Sequence, residues 1–352
     1  MMISRNGTKQ NNIMEKIVMR KERCSHLFFW ITISFLVVIL IISLAMNGGF
    51  LLSLAVKRST IHLSQRAEDE FPRFTEKWSY GSGAAKVVRI PVKGIIVREA
   101  GDGLFFPQYD KIELILSKIR AAKNDSTVKG LIVEVDSPGG AITPSDEIYH
   151  ALQSFKESDP NRKIVVFTKD LAASGGYYVA MAADGIIAAP TAIVGSIGVI
   201  MQTLNWRELS EKVGISDTTI KSGKNKDLLN PFREVSSNQV ALLQSLVDSM
   251  HKRFSTIVGT QRGFDQAQLT ELADGRIFSA EEALDQGLID QIGYWDEVVK
   301  HLTDLLDEVS VKIVRYERKV DLFDWVTEMR SPLQLSSWIG KETPRLMYLW
   351  KP

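Results

Sequence analysis

Cysteine is almost missing from this chain: its 352 residues hold one, Cys24. That excludes an intramolecular disulfide framework and any cysteine-rich zinc site. The five histidines, His26, His62, His150, His251 and His301, are scattered, and none stands at metal-ligand spacing from another. Metal chemistry is therefore not expected, and no cofactor is implied. Neither sign of charge dominates, with 43 Lys and Arg against 42 Asp and Glu for a formal net charge of +1. This balance excludes a strongly basic nucleic-acid binder and an acidic disordered chain. What is present is a hydrophobic content of 45% over a length that allows one large domain or two smaller ones, each with a real core.

Charge is absent altogether between Cys24 and Val56. Within that stretch, Leu27 to Met46 is long and apolar enough to predict a transmembrane helix across a core of about 30 Å. Arg5, Lys9, Lys16, Arg20, Lys21 and Arg23 precede it, against Glu15 and Glu22. The basic excess predicts a cytoplasmic N-terminus, with everything after Met46 on the outer side of the membrane. A cleaved signal peptide is the rival reading, but only Ser43-Leu44-Ala45 resembles a cleavage site, and weakly. Cys24 lies before the apolar run and is not a lipoprotein cysteine.

Residues 47–82 show no sustained period and read as a stalk. From Lys86 the pattern changes. Val87, Val88 and Ile90, then Gly94 to Val97, read as strand, and Ile112, Ile115, Leu116 and Ile119 form the stripe of an amphipathic helix over Tyr109–Lys123. Leu131–Val135, Ile164–Phe167, Ile186–Ala188 and Ile197–Met201 read as further strands, with helices to about Phe155 and from near Ser174. A helix over Ser237–Val258 carries Val240, Leu243, Val247, Met250 and Phe254 on one side, and Ser279 to Glu282 is a capping box opening a helix that ends before Gly287. This alternation predicts an α/β fold with mainly parallel pairing. Trp325, Trp338 and Trp350 mark a C-terminal tail that packs on its own domain, a neighbouring subunit or a membrane surface.

Two segments following predicted strands carry chemistry. In Asp136-Ser137-Pro138-Gly139-Gly140, the glycines free the backbone to point N–H groups into a cleft, as an oxyanion hole requires; a plain strand-to-helix turn reads the same way. In Ala172-Ala173-Ser174-Gly175-Gly176-Tyr177-Tyr178, small residues flank one hydroxyl at a predicted helix start, which suits a nucleophile and equally an ordinary N-cap. No histidine is near either segment. A lysine would have to serve as base, and Lys221, Lys224 and Lys226 cluster in one loop where spacing does not choose among them.

These segments resemble the signal peptide peptidase A (SppA) and SohB family of membrane-anchored serine peptidases. The resemblance rests on Asp136 to Gly140, Ala173 to Tyr178, Gly195-Ser196-Ile197-Gly198-Val199, the Lys226 loop and Asp274-Gly275-Arg276-Ile277-Phe278, in the family's order over roughly residues 85–300. It implies a Clp protease/crotonase-like fold of repeated strand-strand-helix units after one N-terminal transmembrane helix. The organisation implied is a cytoplasmic segment 1–24, a membrane helix 27–46, a stalk 47–82, a serine peptidase domain 83–305 and a tail 306–352. Position by position, Ser174 matches the nucleophile, Lys226 the general base, with Lys224 as its rival, and Gly139, Gly140 and Gly175 the oxyanion hole. Asp274 to Phe278 matches a structural motif; Ser196 reads as a structural hydroxyl in a tight turn, with a hydrogen bond to the lysine as the alternative.

The resemblance further implies an enzyme of the bacterial inner membrane, with its peptidase domain outside. Its substrates would be residual signal peptides and other unfolded apolar segments, and its sites would be shared between protomers of a homo-oligomer. Phe105 and Phe106 would line a channel or join the core. Two competing expectations are a crotonase-like acyl-CoA enzyme and a membrane scaffold or chaperone that has lost cleavage.

Overall fold

The computed structural model describes residues 30, 33–45, 47–48, 70–98, 110–318 and 347–349, and the chain divides into two units, Met1–Glu68 and Asp69–Pro352. In the first unit, helix α1 is described over residues 33–45. Among the described residues no helix is long and apolar enough to cross a membrane. This overturns the transmembrane helix expected at 27–46. With it go the single-pass topology, the membrane as a partner, the placement of the peptidase domain on the outer face of a bacterial membrane, and the membrane-anchored role on residual signal peptides. Phe105, Phe106, Trp325, Trp338, Trp350 and segment 1–24 lie outside the described residues.

The second unit is α/β, as the alternation predicts. Its main sheet runs in the order β1 (Thr75–Tyr80), β10 (Val311–Glu317), β2 (Ala85–Lys93), β3 (Val128–Ser137), β5 (Lys163–Ala173), β6 (Gly185–Ala188) and β9 (Gln291–Ile292). From β10 to β9 every pairing is parallel, and β1 closes one edge antiparallel to β10. β7 (Ile193–Gly195) runs parallel to the end of β5, and β8 (Ile277–Ser279) pairs antiparallel with β7. β3 is buried at nearly every position, the charged Glu134 included, the pattern of a strand covered on both faces.

Helix α2 (Lys111–Asn124) begins where Asp110 accepts a hydrogen bond from the Ile112 amide at 3.0 Å, and it buries Ile112, Ile115 and Ile119. α3 (Ile142–Glu157) and α4 (Gly175–Ala180) follow the two glycine-bearing turns. After α5 (Arg207–Lys212), the long α6 (Ser237–Arg262) packs only its C-terminal half: Phe254 and Val258 are buried, whereas Val240 is 51% exposed. α7 (Gln266–Leu272), α8 (Ala280–Asp285) and α9 (Trp295–Leu305) complete the unit, and α8 opens on the expected Ser279/Glu282 capping box. The strand expected at Ile197–Met201 is displaced to β7. Gly195 and Ser196, both at positive φ, turn the chain there and leave Ile200 with a single bridge. Apart from the main sheet, β4 (Gly139–Ala141) pairs antiparallel with β11 (Met347–Leu349).

Candidate active site

The strand predicted at Ile164–Phe167 extends to Ala173 and delivers the chain directly to Ser174. Ser174 takes φ 53° and ψ −115°, a region that a residue with a Cβ avoids at a cost of about 1–3 kcal/mol unless its surroundings hold it. Here they do. The Ser174 amide donates to the Gly195 carbonyl at 2.7 Å, and the Ser174 carbonyl accepts from the Tyr178 amide at 2.8 Å. Ser174 stands at the N-cap position of α4, yet its side chain makes no cap hydrogen bond. The ordinary N-cap reading therefore fails, and the hydroxyl is left for other work. The residue is 1% exposed.

The Gly195 carbonyl that holds Ser174 is itself buttressed. A side chain at Gly195 would meet Phe278 Cδ2 at 2.7 Å, and the Ser196 amide donates to the Arg276 carbonyl at 2.7 Å. Asp274 pairs with Arg276 at 2.7 Å. The Asp274-to-Phe278 motif thus has a structural job: through β8 it props the strand that fixes the serine backbone.

Close approach explains the glycines. A Cβ on Gly175 would lie 2.6 Å from Ser145 Oγ, 3.1 Å from the Gly140 nitrogen and 3.2 Å from Gly139 Cα; one on Gly140 would lie 2.2 Å from the Ile96 carbonyl oxygen. The Gly139–Gly140 turn therefore sits against the first turn of α4, where helical N–H groups lack intrahelical partners. Ile96 anchors the turn, donating to the Gly139 carbonyl at 2.9 Å and accepting from the Ala141 amide at 2.8 Å. Gly139, at φ 95°, donates its own amide to Ser137 Oγ at 3.1 Å. Of the amides expected in the oxyanion hole, that of Gly139 is therefore engaged within its own turn.

A network that sequence reasoning missed clamps these elements together. Tyr178 on α4 is fully buried between Tyr149 of α3 and Phe254 of α6, at ring separations of 5.4 and 5.0 Å. Its hydroxyl donates to Asp146 Oδ1 on α3. The same oxygen accepts from Arg253 of α6 at 2.6 and 3.2 Å, which holds the Arg253 guanidinium above its usual range. Beside it, Tyr177 donates to the Leu288 carbonyl at 2.7 Å, and burial pushes its phenol up. Nothing in the spacing of Asp146, Tyr178 and Arg253 announces this meeting.

The lysine loop is laid out differently. Lys221 pairs with Asp227 at 2.5 Å and donates to the Lys224 carbonyl at 3.2 Å; that pairing holds the Asp227 carboxyl below the usual range. Lys226 is exposed, and among the described residues no hydrogen bond or ion pair engages its side chain; its amide donates to the Gly223 carbonyl at 3.1 Å. The structure thus brings Ser174, Gly139, Gly140 and Gly175 together and does not join Lys226 to them. Among the described residues there is no group of three or more His, Cys, Asp or Glu side chains that could hold a metal.

An α/β sheet that ends in a serine on a strained strand-to-helix turn, packed against a glycine turn, has the layout of a serine hydrolase. The sequence pattern of Peptidase family S49 matches residues 156–310. A protein of Enterococcus faecium named "Putative signal peptide peptidase SppA" is 34% identical over 74% of this chain and 72% of its own length. "Putative protease slr0021" of Synechocystis is 41% identical over 58% of this chain and 73% of its own. "Serine protease SPPA, chloroplastic" of Arabidopsis thaliana is 32% identical over 62% of this chain and 32% of its own. Among solved structures, a ClpP1 mutant of Listeria monocytogenes overlaps 59% of this chain and 92% of its own at 14% identity, with a TM-score of 0.39. The chain belongs to peptidase family S49, the SppA and Protease 4 family of serine proteases.

Proposed function

We propose that this chain is a serine peptidase in which Ser174 is the nucleophile, Lys226 the general base, and the Gly140 and Gly175 amides the oxyanion donors. The observation that carries this reading is the Ser174 backbone. A non-glycine residue is held at φ 53° beside the Gly139–Gly140 turn, with its hydroxyl withheld from the cap it would otherwise make. Strain of this kind persists where surroundings enforce it, and it presents a side chain that a relaxed turn would bury in local hydrogen bonds.

In the reaction, Ser174 Oγ gives its proton to neutral Lys226 Nζ and bonds to the scissile carbonyl carbon. The carbonyl oxygen becomes an oxyanion at the two amides, and removing one such donor costs about 3 kcal/mol elsewhere. The Lys226 ammonium then protonates the leaving amine as the C–N bond breaks. Water, activated by the same lysine, releases the acyl group. Lysine serves as a base only when water is kept from it. The dyad therefore forms when a further contact carries exposed Lys226 to Ser174 and covers it.

The test is cleavage of a fluorogenic peptide with an apolar P1 residue, together with labelling by a fluorophosphonate. Ser174→Ala should abolish both. Lys226→Ala should reduce turnover at least 100-fold, within the range of a lost general base, and Lys224→Ala should leave it. Turnover should also climb from mildly acidic to alkaline pH. A wild-type protein that neither cleaves nor takes the label would remove the peptidase reading.

A further inference from the structure

Among the described residues from Gly198 to Arg253, only Ser210 is buried. No hydrophobic core therefore shapes the segment that carries Lys226, and its conformation must come from polar contacts. These converge on Asp227, the next residue, whose side chain is only 9% exposed. Lys221 donates to its Oδ1 at 2.5 Å, and Arg233 Nη1 donates to its Oδ2 at 3.3 Å. Arg233 Nε reaches on to Asp217 Oδ2 at 3.2 Å. The same Asp217 oxygen accepts from Asn230 Nδ2 at 3.0 Å and from Thr219 Oγ1 at 2.9 Å. Four charges thus alternate in sign, Lys221, Asp227, Arg233 and Asp217, and cancel.

The backbone around Lys226 is held as tightly. Its amide donates to the Gly223 carbonyl at 3.1 Å, and the Leu228 amide donates to the Asn225 carbonyl at 3.4 Å. Leu229 takes φ 61°, a left-handed conformation that a residue with a Cβ avoids unless its neighbours impose it. Asn230 imposes it here: its amide donates to the Asp227 carbonyl at 3.1 Å while its side chain is tied to Asp217. Arg233 lies at the entry to α6, which runs on to Phe254 and its contact with Tyr178 on the serine helix. Of the three lysines in the loop, Lys221 is committed to Asp227 and to the Lys224 carbonyl, and Lys226 is left for other work.

We infer that Asp227 is a positioning residue of the proposed reaction: it locks the loop in the conformation from which Lys226 reaches Ser174, and it withholds Lys221 from the base's role. This rests on the peptidase reading above, with Lys226 as base. A coreless loop that had to order itself at each turnover would seldom hold its lysine within reach of the serine. A misplacement of about 1 Å costs about 100-fold in rate. The lock acts on kcat, because the Gly139–Gly140 turn is anchored separately, by Ile96. It also sets the local charge. Lys221 and Arg233 face Asp227 directly, Asp217 faces Arg233, Lys224 stands in the same loop, and nearby Glu234 is engaged by Arg207 at 2.9 Å. Loss of the Asp227 charge leaves an excess positive charge beside Lys226, which disfavours an ammonium there and favours the neutral amine.

The experiment compares the full chain with its Asp227→Asn and Asp227→Glu variants in peptide cleavage from mildly acidic to alkaline pH, with urea denaturation of each beside it. Asp227→Asn should lower kcat about 10- to 100-fold with KM within about twofold, and move the rise of turnover about half a pH unit toward acid. Asp227→Glu keeps the charge on a longer arm, so the rise should stay at the wild-type pH and part of kcat should return. Urea midpoints should stay close to wild type, since the buried core lies outside this segment. Lys226→Ala is the reference. If it abolishes cleavage while Asp227→Asn keeps wild-type kcat and pH dependence, the inference is overturned and the peptidase reading stands. A kcat loss with an unmoved pH profile and no recovery in Asp227→Glu would mark a merely structural role and overturn it as well. Full cleavage by Lys226→Ala would instead remove the base assignment, and the inference with it.

Discussion

Gly175→Ala tests the packing of the site most directly. The new methyl would stand 2.6 Å from Ser145 Oγ, with the Gly140 nitrogen next at 3.1 Å. Ordinary contact begins near 3.4 Å, so the overlap with Ser145 approaches 1 Å on a buried hydroxyl that donates to the Ala141 carbonyl at 3.0 Å. Overpacking of this kind costs about 1–3 kcal/mol. Ser145→Ala alone forfeits one hydrogen bond, about 1 kcal/mol. In the double variant Gly175→Ala, Ser145→Ala the clashing oxygen is gone, and the methyl meets the Gly140 nitrogen at 3.1 Å and Gly139 Cα at 3.2 Å, which the turn can relieve by a few tenths of an ångström. Its loss should be smaller than the sum of the single losses by about 1 kcal/mol, within the range of coupling between touching residues. Urea denaturation of the four proteins of this cycle measures that term. Turnover adds a second reading: the remaining contacts still push the Gly139–Gly140 turn away from Gly175 by a few tenths of an ångström, and since a misplacement of about 1 Å costs about 100-fold, the rate should stay severalfold down. The double variant should therefore recover stability and not activity. Additive stability losses, or full activity in Gly175→Ala, would refute the packing argument and the oxyanion role built on it.

Two further expectations concern the scaffold. Tyr178→Phe removes the donor to Asp146 but keeps the ring between Tyr149 and Phe254, so stability should fall by about 1–2 kcal/mol, with the melting transition still cooperative; no change would mean that the clamp is idle. Glu134 on β3 is buried, which opposes its charge, but the Arg89 hydrogen bonds at 2.5 and 2.6 Å and the charges of Arg89 and Lys169 outweigh burial and hold its carboxyl below the usual value. Its contribution is complete above that usual value, about pH 4.5, and is lost as pH falls through the lowered one. Denaturation midpoints followed from pH 6 to pH 3 should therefore drop less steeply in Glu134→Gln than in wild type, and parallel curves would exclude this pair as a source of acid sensitivity.

Much of this architecture was legible in the residues alone. Local rules act within a few positions: Ile112, Ile115 and Ile119 on one helical face, the Ser279/Glu282 box, the Gly287 stop and the apolar stretch Leu131–Val133 of β3 each carry their outcome within one turn or one strand. They were enough for an α/β unit, and the motif order was enough for the family. The same local reading failed where it took apolarity for placement. Residues 27–46 are apolar, yet among the described residues no helix is long and apolar enough to cross a membrane. The stripe on α6 is periodic from Val240 to Phe254, but only its end has something to pack against. Tertiary structure alone decided the strained backbone at Ser174, because that strain is held by Gly195, which is held in turn by a motif some eighty residues further on. It alone brought Asp146, Tyr178 and Arg253 to one point, and laid Met347–Leu349 beside Gly140. Such contacts join residues far apart in the chain, and their energy depends on distances of a few ångströms that no periodicity encodes.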